Sequence, residues 1–246
     1  MDDYLTLLAL FAVFALIYFH GRKTSTPGNP PPSRPNHFSI GNASHLQDQN
    51  LDQLQFVVFD TETTGLNPDQ GDEIVQLGGI KVERGHINYD DTFDLLVNPG
   101  FEIPPRSTLI HGITDDMVQS ACTPEEALER FRSFVSGSIL IAHCASFDME
   151  LLNGHRRETE NRFPNAVLDT MLLSFAIDPN HLDLSLETLA EKYDLEIWGR
   201  HTAIGDAALT AEIFLKLLTP LGSMGIVTLK HALDTCSRLA ERPEFS

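Results

Sequence analysis

The chain has 246 residues, of which 42% are hydrophobic and 21% charged, which excludes a disordered protein and leaves room for one α/β domain with a short appendage. Its three cysteines, Cys122, Cys144 and Cys236, lie far apart, which argues against a disulfide framework or a thiolate zinc site. The formal net charge of −18 argues against a large basic surface for nucleic acid. Cations bound by some of the acids would, however, reverse the sign of the local electrostatic field.

The N-terminus is strongly apolar. Residues 5–19 hold no charge, two aspartates precede them, and Arg22 and Lys23 follow. A membrane-spanning helix needs about 20 apolar residues, so this run lies at the short end of the range. Positive charge on the C-terminal side predicts that the rest of the chain is cytoplasmic. We expect residues 1–23 to be a membrane anchor, with a cleaved signal peptide or a peripheral helix as the alternatives.

A proline-rich segment follows. Residues 24–50 contain five prolines among small polar residues and little that can form a core. Because proline fixes φ and removes a backbone donor, we expect an extended, semi-rigid linker.

Short β-branched and aromatic runs then alternate with turn residues. Strands are predicted at residues 56–59, 73–82, 92–97, 138–142 and 166–168. Three strands in succession, followed by strands that alternate with helices, predict an α/β fold with a mixed sheet flanked by helices.

The first strong helix signal is at Thr123, which supplies an N-cap, with proline next and Glu126 at the third helical position. This helix is predicted to end near Val135. Further helices are predicted after Ser146 and over residues 185–193, 203–218 and 227–239. We expect one domain over residues 51–220 and a C-terminal helix in residues 221–246 that packs on it.

Two carboxylates leave the first strand together. Asp60 and Glu62 are separated by one residue, and side chains two residues apart in a strand project to the same face of the sheet. Acids at the end of a buried strand are costly unless they are paired or bind a metal, and Mg²⁺ and Mn²⁺ prefer such oxygen ligands. Gly65 permits a tight turn directly after them. The alternative is an ordinary strand exit with exposed acids.

Two later segments carry comparable residues. Asp148 lies near the start of a helix after the fourth strand, where it also suits the helix dipole. His201 lies in the loop that enters a helix, and Asp206 lies about one turn inside it. An unperturbed histidine suits a general base near neutral pH, and a satisfied structural histidine is the alternative.

The three segments together resemble the DEDD superfamily of 3′→5′ exonucleases, which have a ribonuclease H-like fold. His201 lies five residues before Asp206 and Thr202 replaces the tyrosine of another branch, so the chain is similar to the DEDDh (DnaQ-like) branch, which includes the proofreading epsilon subunit of bacterial DNA polymerase III. The resemblance spans residues 56–218. The family's His-Gly-Ile segment and Asp-Thr pair are matched by His111, Gly112, Ile113, Asp169 and Thr170.

The resemblance implies a site and a reaction. Two divalent cations, Mg²⁺ or Mn²⁺, would be held by Asp60, Glu62, Asp148 and Asp206. His201 would take a proton from the attacking water, and the product would be a nucleoside 5′-monophosphate from a 3′ end. The terminal nucleotide is expected to be held by threonine and backbone groups on its 3′-hydroxyl and by apolar side chains against bases, at Thr63, Thr64, Leu66 and Phe147.

Other residues near these segments have structural interpretations. Leu66 and Phe147 have simple packing as their alternative. Asp169 is expected to cap the helix that starts at Thr170. Cys144 stands where the family usually has asparagine and lacks the hydrogen bonds of an amide.

The expected partner is single-stranded nucleic acid, with DNA favoured, and the expected protein is a membrane-anchored exonuclease with a cytoplasmic catalytic domain. A ribonuclease that acts on short RNA is the rival within the same class, since such a substrate needs little basic surface. A catalytically silent binding module at the membrane and a structural Ca²⁺ site are the alternatives outside it.

Overall fold

The computed structural model describes residues 37–154, 163–181, 183–243 and 245. The predicted membrane anchor and residues 24–36 of the predicted linker lie outside the described residues. Within the part of the chain that is described, no helix has the length and apolarity needed to cross a membrane.

Five strands form one mixed sheet, as the sequence predicts. They are β1 (Gln55–Thr63), β2 (Ile74–Glu83), β3 (His86–Leu96), β4 (Ile139–Ala142) and β5 (Val167–Asp169). The order across the sheet is β3-β2-β1-β4-β5. β1 pairs antiparallel with β2 and parallel with β4, so it is the central strand, but its pairing with β4 ends at Val58, and the end of β1 pairs with β2 alone.

Helices flank this sheet. They are α1 (Pro105–His111), α2 (Asp115–Val118), α3 (Pro124–Phe134), α4 (Ala145–Gly154), α5 (Thr170–Ile177), α6 (Leu186–Tyr193), α7 (Ala203–Ser223) and α8 (Leu229–Ala240). The predicted capping box is confirmed, because Thr123 Oγ1 accepts from the Glu126 amide and the Glu126 carboxylate accepts from the Thr123 amide. α1 and α2 are too short to show apolar periodicity, which is why the sequence does not predict them.

The start of α7 lies directly on the sheet at Gly78. A Cβ added to Gly78 would lie 2.3 Å from the carbonyl carbon of Ala203 and from the amide nitrogen of Ile204. The Ala203 amide also donates to Gln76 Oε1 at 3.1 Å. Gly78 is the register partner of Asp60. The bare backbone of β2 therefore lets the first turn of α7 approach the end of β1.

The N-terminal part of the described chain packs on the domain. Phe38 and Ala43 are buried. The Leu51 amide donates to the Val227 carbonyl at 2.9 Å, and the Leu229 amide donates to the Gln49 carbonyl at 3.1 Å. The packed domain therefore begins before the predicted boundary at residue 51, because apolar residues of the predicted linker pack into the hydrophobic core.

Candidate active site

Three carboxylates converge at the junction of β1 and α7. Asp60 and Glu62 are alternate residues near the end of β1, and Asp206 lies in the first turn of α7. Each offers an oxygen that lies within 4.8 Å of the others. Glu62 and Asp206 are buried, and Asp60 is partly buried. Three acids that lie this close together and are largely buried need a cation or protons for stability.

Asp148 lies beside this cluster but not within it. It is buried in the first turn of α4, and its Oδ1 accepts a hydrogen bond from Thr61 Oγ1 at 2.7 Å. Burial raises the pKa of the Asp148 carboxyl to about 7, and the Thr61 bond opposes that rise. Thr61, between the two acids of β1, thus links Asp148 to the strand that carries them.

The cluster strongly disfavours its own ionisation. Burial raises the pKa of Asp60 well above its ordinary value, and the negative charges of Asp206 and Asp148 raise it further. Burial, followed by the charge of Asp206, raises the pKa of Glu62 to about 8. Without a cation, these carboxyls therefore retain protons at a pH where solvent-exposed acids have lost them.

The stability of the metal-free protein is expected to fall as the pH rises from about 6.5 to about 8. The native state holds protons on Glu62 and Asp148 that the unfolded chain has already released, so raising the pH favours unfolding. Burial lowers the pKa values of His143 and His201, so these histidines titrate below this window. The melting temperature in EDTA at several pH values measures the slope. A Glu62→Gln variant should flatten it, and an equally steep slope in that variant would contradict this account.

His201 occupies the loop that leads into α7, as the sequence predicts, in the left-handed region with φ 60°. The side chain is partly exposed. Burial lowers the pKa of its imidazole, and the positive charge of Arg200 lowers it further. His201 is therefore neutral near pH 7 and has a ring nitrogen that can accept a proton.

The residues expected to hold a nucleotide differ in accessibility. Thr63 and Leu66 are partly exposed next to the acids. Thr64 is completely buried: its Oγ1 donates to Asp72 Oδ1 at 3.1 Å and accepts from the Glu73 amide at 3.0 Å. The expectation that Thr64 contacts substrate is therefore corrected, since both its hydroxyl functions are used within the fold.

Phe147 is also mainly a core residue. Only 8% of it is exposed, and it belongs to the main hydrophobic cluster. Leu66 packs against the same cluster. The packing alternative thus describes Phe147 better than a stacking surface for a base.

Asp169 caps two helices at once. Its Oδ1 accepts from the Met171 amide at 2.8 Å at the start of α5, which confirms the predicted N-cap. Its two oxygens also accept from the Cys144 and Ala145 amides at 3.2 and 2.9 Å at the start of α4. One buried carboxylate therefore fixes the beginning of the helix that carries Asp148.

Cys144 adopts a left-handed conformation with φ 67°. Asparagine and glycine adopt this region most readily, which explains why asparagine suits the position. The contact to Asp169 uses the backbone amide of residue 144, so it does not depend on which side chain is there. The Cys144→Asn variant is expected to be more stable than the wild type by about 1 kcal/mol. Urea unfolding measures the difference. Cys144→Ala, which keeps the unfavourable φ, is the control, and an equal gain in both variants would refute this explanation.

Two residues near the acids escape prediction from sequence. Arg200 donates to Asp206 and to Glu187, and these contacts depend on how the two helices that carry the acids pack together. Gly78 has a visible signal, since paired glycines inside a strand mark a close approach of another backbone. The sequence does not reveal which element approaches.

The comparison with protein families agrees with this geometry. The family model described as Exonuclease matches residues 57–214, more than half of the chain. This chain belongs to the exonuclease family. The match contains β1 from Val57 onward, α4 and the first half of α7, and so every acid of the site. The resemblance to 3′→5′ exonucleases inferred from the motifs is confirmed at the level of the family.

A curated relative in this exonuclease family is the DNA polymerase III subunit epsilon-like protein of Rhodobacter capsulatus. It is 45% identical over 195 residues, which cover 78% of this chain and 28% of the relative. This chain therefore spans less than a third of that protein.

Solved exonuclease structures share the fold. Exonuclease X in complex with 5′ overhanging duplex DNA aligns with a TM-score of 0.58 and 26% identity, covering 74% of this chain and 99% of that one. The nuclease domain of 3′hExo, a DEDDh family member bound to rAMP, aligns with a TM-score of 0.60 and 18% identity, covering 70% and 94%. The ribonuclease H-like exonuclease fold expected from the sequence is confirmed.

Proposed function

We propose that this chain is a 3′→5′ exonuclease that removes nucleoside 5′-monophosphates from single-stranded DNA with the aid of two divalent cations. The convergence of Asp60, Glu62 and Asp206 within 4.8 Å carries the proposal. It rests also on the family match and on the identity to an epsilon-like protein.

The donor set fits hard cations. It consists of carboxylate oxygens, which Mg²⁺ and Mn²⁺ prefer. Asp206 Oδ1 is buried and has no hydrogen-bond partner in the described part of the chain, so it is available to a ligand. Asp60, Glu62, Asp206 and Asp148 would hold the ions. When bound, the cations would stabilise negative charge on the attacking and leaving oxygens.

The chain's own groups have separate tasks. His201 takes a proton from the attacking water, because it is neutral near pH 7 and lies at the entrance to the helix that carries Asp206. Thr63 and Leu66 line the turn after β1 and are accessible to a terminal nucleotide. Thr64 fixes the start of this turn to α1, since its carbonyl accepts a hydrogen bond from Ser107 Oγ at 2.6 Å.

The experiment is a nuclease assay on the full chain in detergent with 5′-labelled and 3′-labelled oligomers. We expect a ladder that shortens from the 3′ end in Mg²⁺ or Mn²⁺, with nucleoside 5′-monophosphate as the product. An Asp206→Asn protein prepared identically is the control, and equal digestion by both would refute the proposal. A lack of digestion by wild-type protein that still binds nucleic acid would favour the silent module. Activity in Mg²⁺ with inhibition by Ca²⁺ would argue against a structural calcium site.

RNA is the second candidate substrate. The net charge of −18 suits a short substrate that needs few basic contacts, and the 3′hExo nuclease domain was solved with rAMP. DNA and RNA oligomers of matched sequence and several lengths separate the two. Faster turnover of short RNA than of any DNA oligomer would replace the DNA assignment with an oligoribonuclease.

The His201→Ala variant is expected to slow turnover by roughly 10²-fold while keeping Mn²⁺ binding. Loss of the base removes proton acceptance but no metal ligand. Single-turnover rates across pH measure the effect, and a wild-type rate at every pH would remove His201 from this role. His231→Ala, an exposed histidine on α8, is the matched control.

Residues 1–23 tether the enzyme to a membrane and leave the catalytic domain in the cytoplasm. The uncharged run over residues 5–19 and the Arg22-Lys23 pair after it support this assignment. Fractionation of cells that express the full chain should place it in the membrane pellet, and deletion of residues 1–23 should release it. An N-terminus that starts after residue 19 in the purified protein would identify a cleaved signal peptide instead.

A further inference from the structure

Arg200 links two acidic side chains on different helices. Its side chain is 12% exposed in the loop between α6 and α7. Nη1 donates to Asp206 Oδ2, while Nε and Nη2 donate to Glu187 Oε1 at 2.8 and 2.6 Å. Only a planar guanidinium offers donors that reach two carboxylates at once in a fixed geometry. Arg200 therefore holds Asp206 against α6.

The two oxygens of Asp206 have different environments. Oδ2 accepts from Arg200, and Oδ1 is buried without a hydrogen-bond partner in the residues described. Leaving a buried carboxylate oxygen unpartnered is costly unless a ligand satisfies it. Asp60 and Glu62 are the acids that share this place with Asp206. The Arg200 contact thus takes one oxygen of Asp206 and leaves the other for the cation site.

Glu187 completes the arrangement. It lies in the first turn of α6 and receives two of the Arg200 donors on one oxygen. This double contact restricts rotation of the guanidinium about its own stem. The chain of contacts runs from α6 through Arg200 to a carboxylate in the first turn of α7.

We infer that Arg200 is a positioning residue for metal binding: anchored by Glu187, it fixes the Asp206 carboxylate in the orientation that leaves Oδ1 available to a divalent cation. The inference rests on the proposed function for the identity of the ligand. Groups that orient metal ligands typically contribute 10- to 100-fold in metal affinity or activity.

The test is calorimetric binding of Mn²⁺ to the full chain in detergent, for wild type, Arg200→Gln, Arg200→Lys and Glu187→Gln. The Kd for Mn²⁺ is expected to rise about 10- to 100-fold in Arg200→Gln. Arg200→Lys should lie between Arg200→Gln and wild type, because an ammonium reaches one carboxylate but not both. Glu187→Gln should weaken binding less, and combining it with Arg200→Gln should add nothing further.

A destabilised variant outside the site separates positioning from general stability. Leu233→Ala removes a buried side chain of α8 and should lower the melting temperature while leaving the Kd for Mn²⁺ unchanged. If Arg200→Gln fails to fold, the Glu187→Gln and Arg200→Lys proteins decide the matter by the same measurement.

Two outcomes would overturn the inference. Unchanged Mn²⁺ affinity in the Arg200 variants would show that Asp206 needs no orientation, and tighter binding would show that Arg200 competes with the cation. Nuclease assays on the same proteins distinguish this failure from that of the proposed function. A wild type that binds Mn²⁺ without digesting nucleic acid would sink the proposed function, whereas weakened binding in Arg200→Gln would still support the positioning role.

Discussion

The Asp60→Asn variant is expected to shorten DNA 3′ ends roughly 10³-fold more slowly than the wild-type chain, and to melt at a higher temperature in EDTA. The loss of rate follows because a neutral amide replaces a cation ligand, and metal stabilisation of the reacting oxygens is worth several kcal/mol. The gain in stability follows because burial and the negative charges of Asp206 and Asp148 raise the pKa of Asp60. The native state must therefore either bury a charge or hold a proton there, and a neutral amide needs neither.

Opposite effects on rate and stability distinguish an acid that binds a cation from one that supports the fold. Single-turnover rates in Mn²⁺ and melting temperatures with and without Mn²⁺ measure both. Added Mn²⁺ should stabilise the wild type more than the variant, because the ligand binds the native state. Asp52→Asn, an exposed acid in the turn before β1, should change neither quantity. A lower melting temperature for Asp60→Asn in EDTA would show that its carboxylate is structural.

Replacing Gly78 with alanine is expected to reduce the rate by roughly 10²-fold and to destabilise the fold by about 1–3 kcal/mol. The new Cβ would lie 2.3 Å from backbone atoms of Ala203 and Ile204, which cannot yield as the end of a side chain can. The first turn of α7 must therefore move away from β2. Asp206 moves with it, and the distance from its carboxylate to those of β1 increases.

Gly79→Ala is the matched control on the neighbouring residue. Its Cβ would meet ring carbons of Phe131 and Phe134 at 3.3 Å, and these side chains can shift slightly. Turnover, Mn²⁺ affinity and urea unfolding of both variants form the comparison. The explanation fails if Gly78→Ala keeps the wild-type rate, or if the two variants lose activity equally.

Elements with a local signal were predictable from the sequence. The capping box at Thr123 fixes the start of α3, and the β-branched and apolar runs mark part of every strand, although β3 begins at His86, before its predicted start at residue 92. β1 continues to Thr63, beyond its predicted end, because Asp60 and Glu62 are themselves strand residues that pair with β2. Charged residues are rare in buried strands, so the sequence pattern predicts that the strand ends before Asp60. A cation site explains why two acids continue the strand.

Contacts between distant segments were not predictable. The bond from Arg200 to Glu187 depends on how α6 packs beside α7, and the burial of Phe38 depends on core residues of other elements that pack around it. The contacts of Thr64 depend on the folded turn for a related reason. Thr63 and Leu66 are partly exposed, but the hydroxyl of Thr64 donates to Asp72, whose position only the folded turn defines.

The shared cap at Asp169 has a consequence for local unfolding. Because the amides at the starts of α4 and α5 bond to one carboxylate, neither helix end can fray without weakening the other. The two helices are therefore expected to open as one cooperative unit in hydrogen exchange, with matched protection at Ala145 and Met171. The position of Asp148 would then be fixed by the bonds from the start of α4 to Asp169 at the buried end of β5, and not by the short helix α4 alone.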